Sequence, residues 1–236
     1  NLSVYLLVLL MLAGSTVVAE ELDDVSLQQN SQPLISPTRL SQPLRDIPAS
    51  VTVIDAHTIE SLGFTRIVDA LRLVPGFAVG MSSGSDFRVS YHGGHGMNPR
   101  RLQVLLDGMP IYQSGLTKVD WNAIGVSVTD VARIEVTRSP SSASYGANAF
   151  NAVVNIITKD PALTQGVKLK QMYSTQDAYE SYIRYGGSTG ATDYRITATS
   201  RGDKGFDKNA GGQDRRDDTD LLSANIKSRT RLDDST

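Results

Sequence analysis

Hydrophobic period divides this chain into two textures that meet near residue 161. Between residues 48 and 161 the apolar positions come in short runs of differing period. Residues 50–54 alternate as a strand, and residues 66–74 set Ile67, Ala70, Leu71 and Val74 at helical spacing until Pro75-Gly76 stops the helix. Runs at 77–81 and 87–91 predict short strands. Run 102–106 leads into Asp107-Gly108, a turn pair that can return 109–112 as a hairpin. Residues 131–137 and 153–158 complete the set. The pattern predicts a small mixed sheet with a few helices, an α+β domain over residues 45–161.

From residue 162 onward the runs lengthen and alternate. Tyr179, Ser181, Ile183 and Tyr185 share one face, opposite Glu180, Tyr182 and Arg184; Tyr194, Ile196 and Ala198 face away from Arg195, Thr197 and Thr199. An apolar, aromatic face backed by a charged one is the two-residue period of a transmembrane β-barrel wall. A soluble antiparallel sheet alternates in the same way, so the strands alone leave the two readings level.

The start of the chain separates them. Residues 4–12 are apolar apart from Tyr5, too short to cross a bilayer as a helix, and Val17-Val18-Ala19 offers small side chains before the acidic Glu20-Glu21. This predicts an export signal over 1–19, cleaved after Ala19. The first residue is Asn1 and no positive segment precedes the apolar run, so earlier residues are expected to be missing. Residues 20–44, polar and rich in Gln, Ser and Pro, predict a flexible arm. With export in place, residues 162–236 are expected to be the first antiparallel strands of an incomplete barrel, four or five at about ten residues each plus turns.

Composition narrows the chemistry. A formal net charge of -2 provides no basic field for nucleic acid, and the absence of cysteine removes disulfides, thiolate metal sites and thiol catalysis. Two stretches invite an enzymatic reading: Gly80-Met81-Ser82-Ser83-Gly84 has the form of a hydrolase elbow, and His92-Gly93-Gly94-His95-Gly96 that of an oxyanion loop. Both fail on context. An elbow needs a helix after the serine, where 87–91 predicts a strand, and the oxyanion loop should precede the nucleophile. His92 and His95 supply two metal ligands at most, and His57 sits early in a helical pattern. No catalysis, metal or cofactor is expected.

Three stretches resemble the TonB-dependent outer-membrane receptors. Asp46-Ile47-Pro48-Ala49-Ser50-Val51-Thr52-Val53-Ile54 is similar to the opening of their plug domains, and Val104-Leu105-Leu106-Asp107-Gly108 to the central plug hairpin. The third stretch joins Arg133-Ile134-Glu135-Val136, Arg138, Pro140, Tyr145-Gly146 and Asn148-Ala149 to Val153-Val154-Asn155-Ile156-Ile157-Thr158, and resembles the signature that closes the plug. Ser139 and Asn151 stand where that family usually has Gly, and His92 where it usually has Arg, which marks a divergent subfamily. The resemblance implies a plug inside a 22-stranded barrel, an outer-membrane location, and energised import of a scarce small-molecule or metal-chelate ligand such as an iron chelate or cobalamin. It also implies a periplasmic partner, TonB, that pairs with a box at Pro33, Leu34, Ile35, Ser36, Pro37, Thr38 and Arg39. Both prolines of that box share one strand edge with Ile35 and Arg39, leaving Leu34, Ser36 and Thr38 to pair with the partner. Ligand contacts are expected at Ser82, Ser83, Asp86, Tyr112, Gln113, Lys118 and Asp120, and a charge network between plug and barrel at Asp107, Arg133, Glu135 and Arg138, with Asp130 a further carboxylate nearby. A binding module that borrowed the plug and transports nothing is the alternative; further alternating strands downstream would exclude it.

Overall fold

A computed structural model describes residues 34–35, 41–42 and most of 49–232, leaving out 85, 93–100, 114–117, 147, 175–177, 207, 209–211 and 214–216. The expected export signal, most of the arm and His95 lie outside the described residues. Within the arm, β1 (Leu34–Ile35) pairs antiparallel with β2 (Ser41–Gln42).

The first domain is built on a five-stranded sheet. Its strands are β3 (Ser50–Asp55), β6 (Leu102–Leu106), β7 (Met109–Pro110), β8 (Val131–Arg138) and β9 (Ala152–Thr158), in the order β3-β8-β9-β6-β7. All neighbours are antiparallel except β6 and β9, which run parallel. Those two strands are buried on both faces and are apolar apart from Gln103, Asn155 and Thr158. Asp107 and Gly108 both take positive φ, 48° and 83°, the geometry of a two-residue hairpin turn.

Two short helices and a separate hairpin cover the sheet. Helix α1 (Ala56–Ser61) is capped by Asp55, whose carboxylate accepts from the Thr58 N–H at 2.6 Å. Helix α2 (Ile67–Ala70) tightens into a 3-10 turn at Leu71–Leu73 before Pro75-Gly76. The predicted helix over 66–74 is therefore two shorter pieces, with Ile67, Ala70, Leu71 and Val74 buried as the spacing required. β4 (Phe77–Met81) and β5 (Phe87–Tyr91) form the hairpin. Their buried side chains join Ile54, Ile59, Leu71, Val104, Ile134, Val136, Val154 and Ile156 in one core. A third helix, α3 (Ser142–Tyr145), was not legible in the sequence; its one turn of Ser and Ala residues has no apolar face.

The second sheet contains four long antiparallel strands in sequence order: β10 (Gly166–Tyr173), β11 (Tyr179–Thr189), β12 (Thr192–Asp203) and β13 (Thr219–Thr230). Register places Val167, Tyr185, Ile196 and Ile226 in one outward row and Leu169, Ile183, Ala198 and Ala224 in the next. The other face, with Glu180, Tyr182, Arg184, Asp193, Arg195, Thr197 and Thr199, is buried against the α+β domain. This sheet is apolar outside and polar inside. Between α1 and β10 the two units leave a cavity of about 280 Å³, lined among others by Ile59, Phe64, Val128, Lys168 and Lys170.

Candidate functional site

The junction between the two units is made of charge. A 3-10 turn at Val128–Asp130, capped by the Ser127 hydroxyl, brings Asp130 to the inner face of the second sheet. One carboxylate oxygen accepts from the Tyr182 hydroxyl at 2.7 Å and the other from Thr197 Oγ1 at 2.8 Å. Two guanidiniums stand behind these bonds, Arg195 at 3.8 Å and Arg184 at 4.0 Å. Arg195 is fully buried and also donates to the Lys159 carbonyl oxygen at 2.9 Å. The Lys159 N–H in turn donates to the Asp130 carbonyl oxygen at 2.8 Å. A buried carboxylate facing two buried cations is tolerable only as a bonded set.

Asp107 makes a second junction. It accepts from the Thr158 N–H at 2.8 Å, from Thr158 Oγ1 at 2.7 Å and from Lys227 Nζ at 2.9 Å. Burial works to raise its pKa, but the bonds from Thr158 and Lys227 outweigh that, and the net effect lowers it. Asp160 pairs with Arg229 of the same strand β13, and Arg201 donates to the Asn122 carbonyl oxygen at 3.2 Å. Arg133 and Glu135, two residues apart on one face of β8, pair with each other at 2.7 Å. Arg138 closes the end of β8 opposite Ser50, and its Nε has no hydrogen-bond partner among the described residues. Asp130 is the junction's most buried carboxylate, and its partners lie more than fifty residues downstream, where no local pattern could reveal them.

The expected ligand residues occupy two adjacent turns. Residues 82–86 link β4 to β5: Asp86 accepts from the Ser82 hydroxyl, its N–H donates to Ser83 Oγ at 3.2 Å, and its carboxylate meets Arg88 at 3.2 Å and Lys118 at 4.0 Å. The Ser82 bond leads the lowering of the Asp86 pKa, burial opposes it, and Arg88 and Lys118 assist. In the second turn, Asp120 accepts from Gln113 Nε2 at 3.3 Å and from the Asn122 N–H at 3.1 Å. Tyr112 turns inward and donates to the Leu102 carbonyl oxygen. The cleft between the turns holds about 30 Å³, space for one or two waters. Arg88 and Trp121 line it beside Asp86, Tyr112 and Lys118 and went unread in the sequence, Trp121 because a lone aromatic in a loop carries no periodic signal. Among the described residues these turns offer polar contact points around a small cleft.

Of the arm residues, Leu34 and Ile35 are paired with Gln42 and Ser41; Pro33, Ser36, Pro37, Thr38 and Arg39 lie outside the described residues. Among the described residues no group of three or more His, Asp or Glu side chains is placed to hold a metal ion.

Comparison with known proteins bears on both units. A family model described as the TonB-dependent receptor plug domain matches residues 43–153. Over 139 residues the chain is 32% identical to the vitamin B12 transporter BtuB of Vibrio vulnificus, covering 59% of this chain and 22% of that protein. It is similar in structure to the ferric yersiniabactin uptake receptor FyuA of Yersinia pestis, with 25% identity, a TM-score of 0.61, and coverage of 79% of this chain and 29% of that one. P. aeruginosa FpvA bound to heterologous pyoverdines shares the fold at 22% identity and a TM-score of 0.58, covering 72% of this chain and 22% of that one. The chain thus spans about a fifth of the length of the curated relative it matches.

Proposed function

We propose that this chain, whose residues 43–153 match the plug domain of the TonB-dependent receptors, is the N-terminal part of an outer-membrane receptor importing a scarce chelate with energy supplied by TonB. Its relatives are transport receptors and not enzymes. The observation that carries the reading is the continuity of plug and sheet: β9 runs through Asp160 into strands that put their apolar face outward and their charged face against the plug. A soluble sheet would bury the apolar face. The outward row of Val167, Tyr185, Ile196 and Ile226 would meet lipid, and the plug would fill the lumen. The short turn at Gly190-Ala191 then faces the periplasm, and the 82–86 turn and the β12–β13 loop face the outside.

A ferric chelate or a cobalamin is the proposed ligand, a reading supported by relatives described as a vitamin B12 transporter and a ferric yersiniabactin uptake receptor. The arm would deliver the coupling. Leu34 and Ile35 would exchange their pairing with β2 for a strand of the periplasmic partner, by addition to its sheet edge. Cells carrying the full-length receptor should take up radiolabelled cyanocobalamin or ferric yersiniabactin only when TonB is present. Ser36→Pro should abolish that uptake while sparing surface binding, and Ile35→Pro should harm it less, since its N–H lies on the free edge. Uptake that persists without TonB would overturn the proposal, equal loss in the two proline variants would overturn the assignment of the pairing edge, and no loss in either would overturn the placement of the box.

A further inference from the structure

The plug turn between β4 and β5 is fastened to the loop that joins β12 to β13, and each attachment ends on an aspartate. Gly84 donates its N–H to Asp217 Oδ2 at 2.7 Å. The other oxygen of the same carboxylate accepts from the Phe206 N–H at 2.9 Å, so one side chain closes its own loop and grips the plug turn with it. The backbones approach so closely that a Cβ on Gly84 would lie 2.5 Å from Gly205 Cα and 2.6 Å from the Asp217 carbonyl oxygen. Only glycine permits that distance. The second attachment is Arg66, beside α2, which pairs with Asp203 at the end of β12. Asp203 also accepts from the Gly205 N–H at 2.8 Å, and the Arg66 guanidinium lies over the Phe87 ring, 4.8 Å from its centroid. The Arg66 and Asp203 side chains are only 15% and 22% exposed, so solvent screens this pair less than a surface ion pair.

We propose that Asp217 and Asp203 form a two-point clasp that makes the plug turn at Gly84 and the ends of the β12–β13 loop at Gly205, Phe206 and Asp217 move as one unit. Two attachments on different plug elements fix direction as well as position, which a single bond cannot do. Asp217 is then a positioning residue for the outward turn of the plug: whatever contacts the loop from outside is felt by the plug, and the reverse. That consequence for the ligand rests on the receptor reading above, whereas the clasp itself does not.

The test is amide hydrogen exchange on the full-length receptor in lipid nanodiscs, with no ligand and no transport involved. Asp217→Ala should speed exchange at Gly84 and Phe206 by about tenfold or more, the loss of a hydrogen bond to a charged acceptor. Asp217→Asn presents one accepting oxygen in place of two and should give a smaller rise at one of the two amides. Gly84→Ala, made in the plug, should speed exchange at Phe206 in the loop, while β8 and β9 exchange as in wild type. Unchanged exchange at Gly84 in Asp217→Ala, or a Gly84→Ala effect confined to the plug, would overturn the clasp. Equal acceleration in β8 and β9 would also overturn it, since that reports general loosening. A receptor that imported neither chelate would still show the exchange change, so the two proposals fail separately.

Discussion

The plug and the sheet beside it alternate apolar and polar residues by the same rule, and they turn the result in opposite directions. In the plug, Ile134, Val136, Val154 and Ile156 are fully buried in the core, with Glu135, Thr137 and Asn155 on the other face of the same strands. In the sheet, Ile196 and Ile226 are 44% and 72% exposed while Arg195 between the two units is fully buried. On the proposed reading the inversion assigns solvents: the plug supplies the polar surroundings that the inner face of the sheet requires, and the outer face would be left for lipid. It also explains why the contact is charged. An apolar plug surface would have to pack against Glu180, Arg184, Asp193 and Arg195, which are buried on the inner face.

Removing the centre of that contact should have the largest effect. Asp130→Ala leaves Arg195 and Arg184 buried without a counter-charge and leaves Tyr182 and Thr197 without an acceptor. Breaking a buried pair on one side costs about 3–5 kcal/mol. Denaturant melting of the full-length receptor should register it, with the plug released before the barrel; a change under about 1 kcal/mol would mean that the contact is incidental.

The outer face offers the next test, and it distinguishes lipid from water directly. Ile196→Lys should cost about 2–4 kcal/mol if that position lies near the bilayer midplane. On a solvated antiparallel sheet the same change would be close to neutral. Folding yield of the full-length receptor into vesicles would decide, and full tolerance would mean that Ile196 meets water.

How much of this was legible before the structure depends on the range of the interactions. The strands at 77–81, 87–91 and 102–106 match β4, β5 and β6 at both ends, because a two-residue period bounded by Gly, Pro or Asp is a local signal. The two faces of β11 and β12 were readable for the same reason. The partners of Asp130 were not, since Tyr182 and Thr197 stand 52 and 67 residues away. In the sequence Gly84 is only the last residue of the elbow-like 80–84 stretch, and its constraint comes from Gly205 and Asp217 across the interface. Arg133 and Glu135 stand on one face of one strand, and their pairing with each other is a contact two residues apart.

Acid should expose a smaller contribution. The folded-state pKa of Asp107 lies below the ordinary value of 3.8, so its bonds to Thr158 and Lys227 stabilise the fold above about pH 4. That stabilisation is lost as pH falls through the folded value. Asp86 and Asp160 are lowered as well and share the acid limb. Melting temperature followed downward from pH 6 should therefore drop more steeply in wild type than in Asp107→Asn, which gives up the bond to Lys227 at every pH. Parallel curves would remove Asp107 from the account.

The smallest expected effect separates two tyrosines that do similar chemistry on opposite sides of the boundary. Tyr182 is a residue of the sheet whose hydroxyl crosses to Asp130 in the plug. Tyr112 is a residue of the plug whose hydroxyl stays within it, on the Leu102 carbonyl oxygen at the start of β6. Burial pushes the Tyr112 phenol up to about 12, so it remains a neutral donor throughout the working pH range. Tyr112→Phe removes one donor and strands one carbonyl, a loss of about 1 kcal/mol. Hydrogen exchange should show that loss in β6 and its parallel neighbour β9, joined in register from Leu102 and Ala152 onward. Surface binding of cyanocobalamin or ferric yersiniabactin, whichever the receptor takes, should stay within about twofold of wild type, because that hydroxyl already points into the protein. Tyr182→Phe should do the opposite, leaving β6 unchanged and loosening the plug from the sheet. If Tyr112→Phe instead abolished surface binding while β6 kept its protection, the hydroxyl would belong to the ligand, and the inward turn of Tyr112 would describe only the empty receptor.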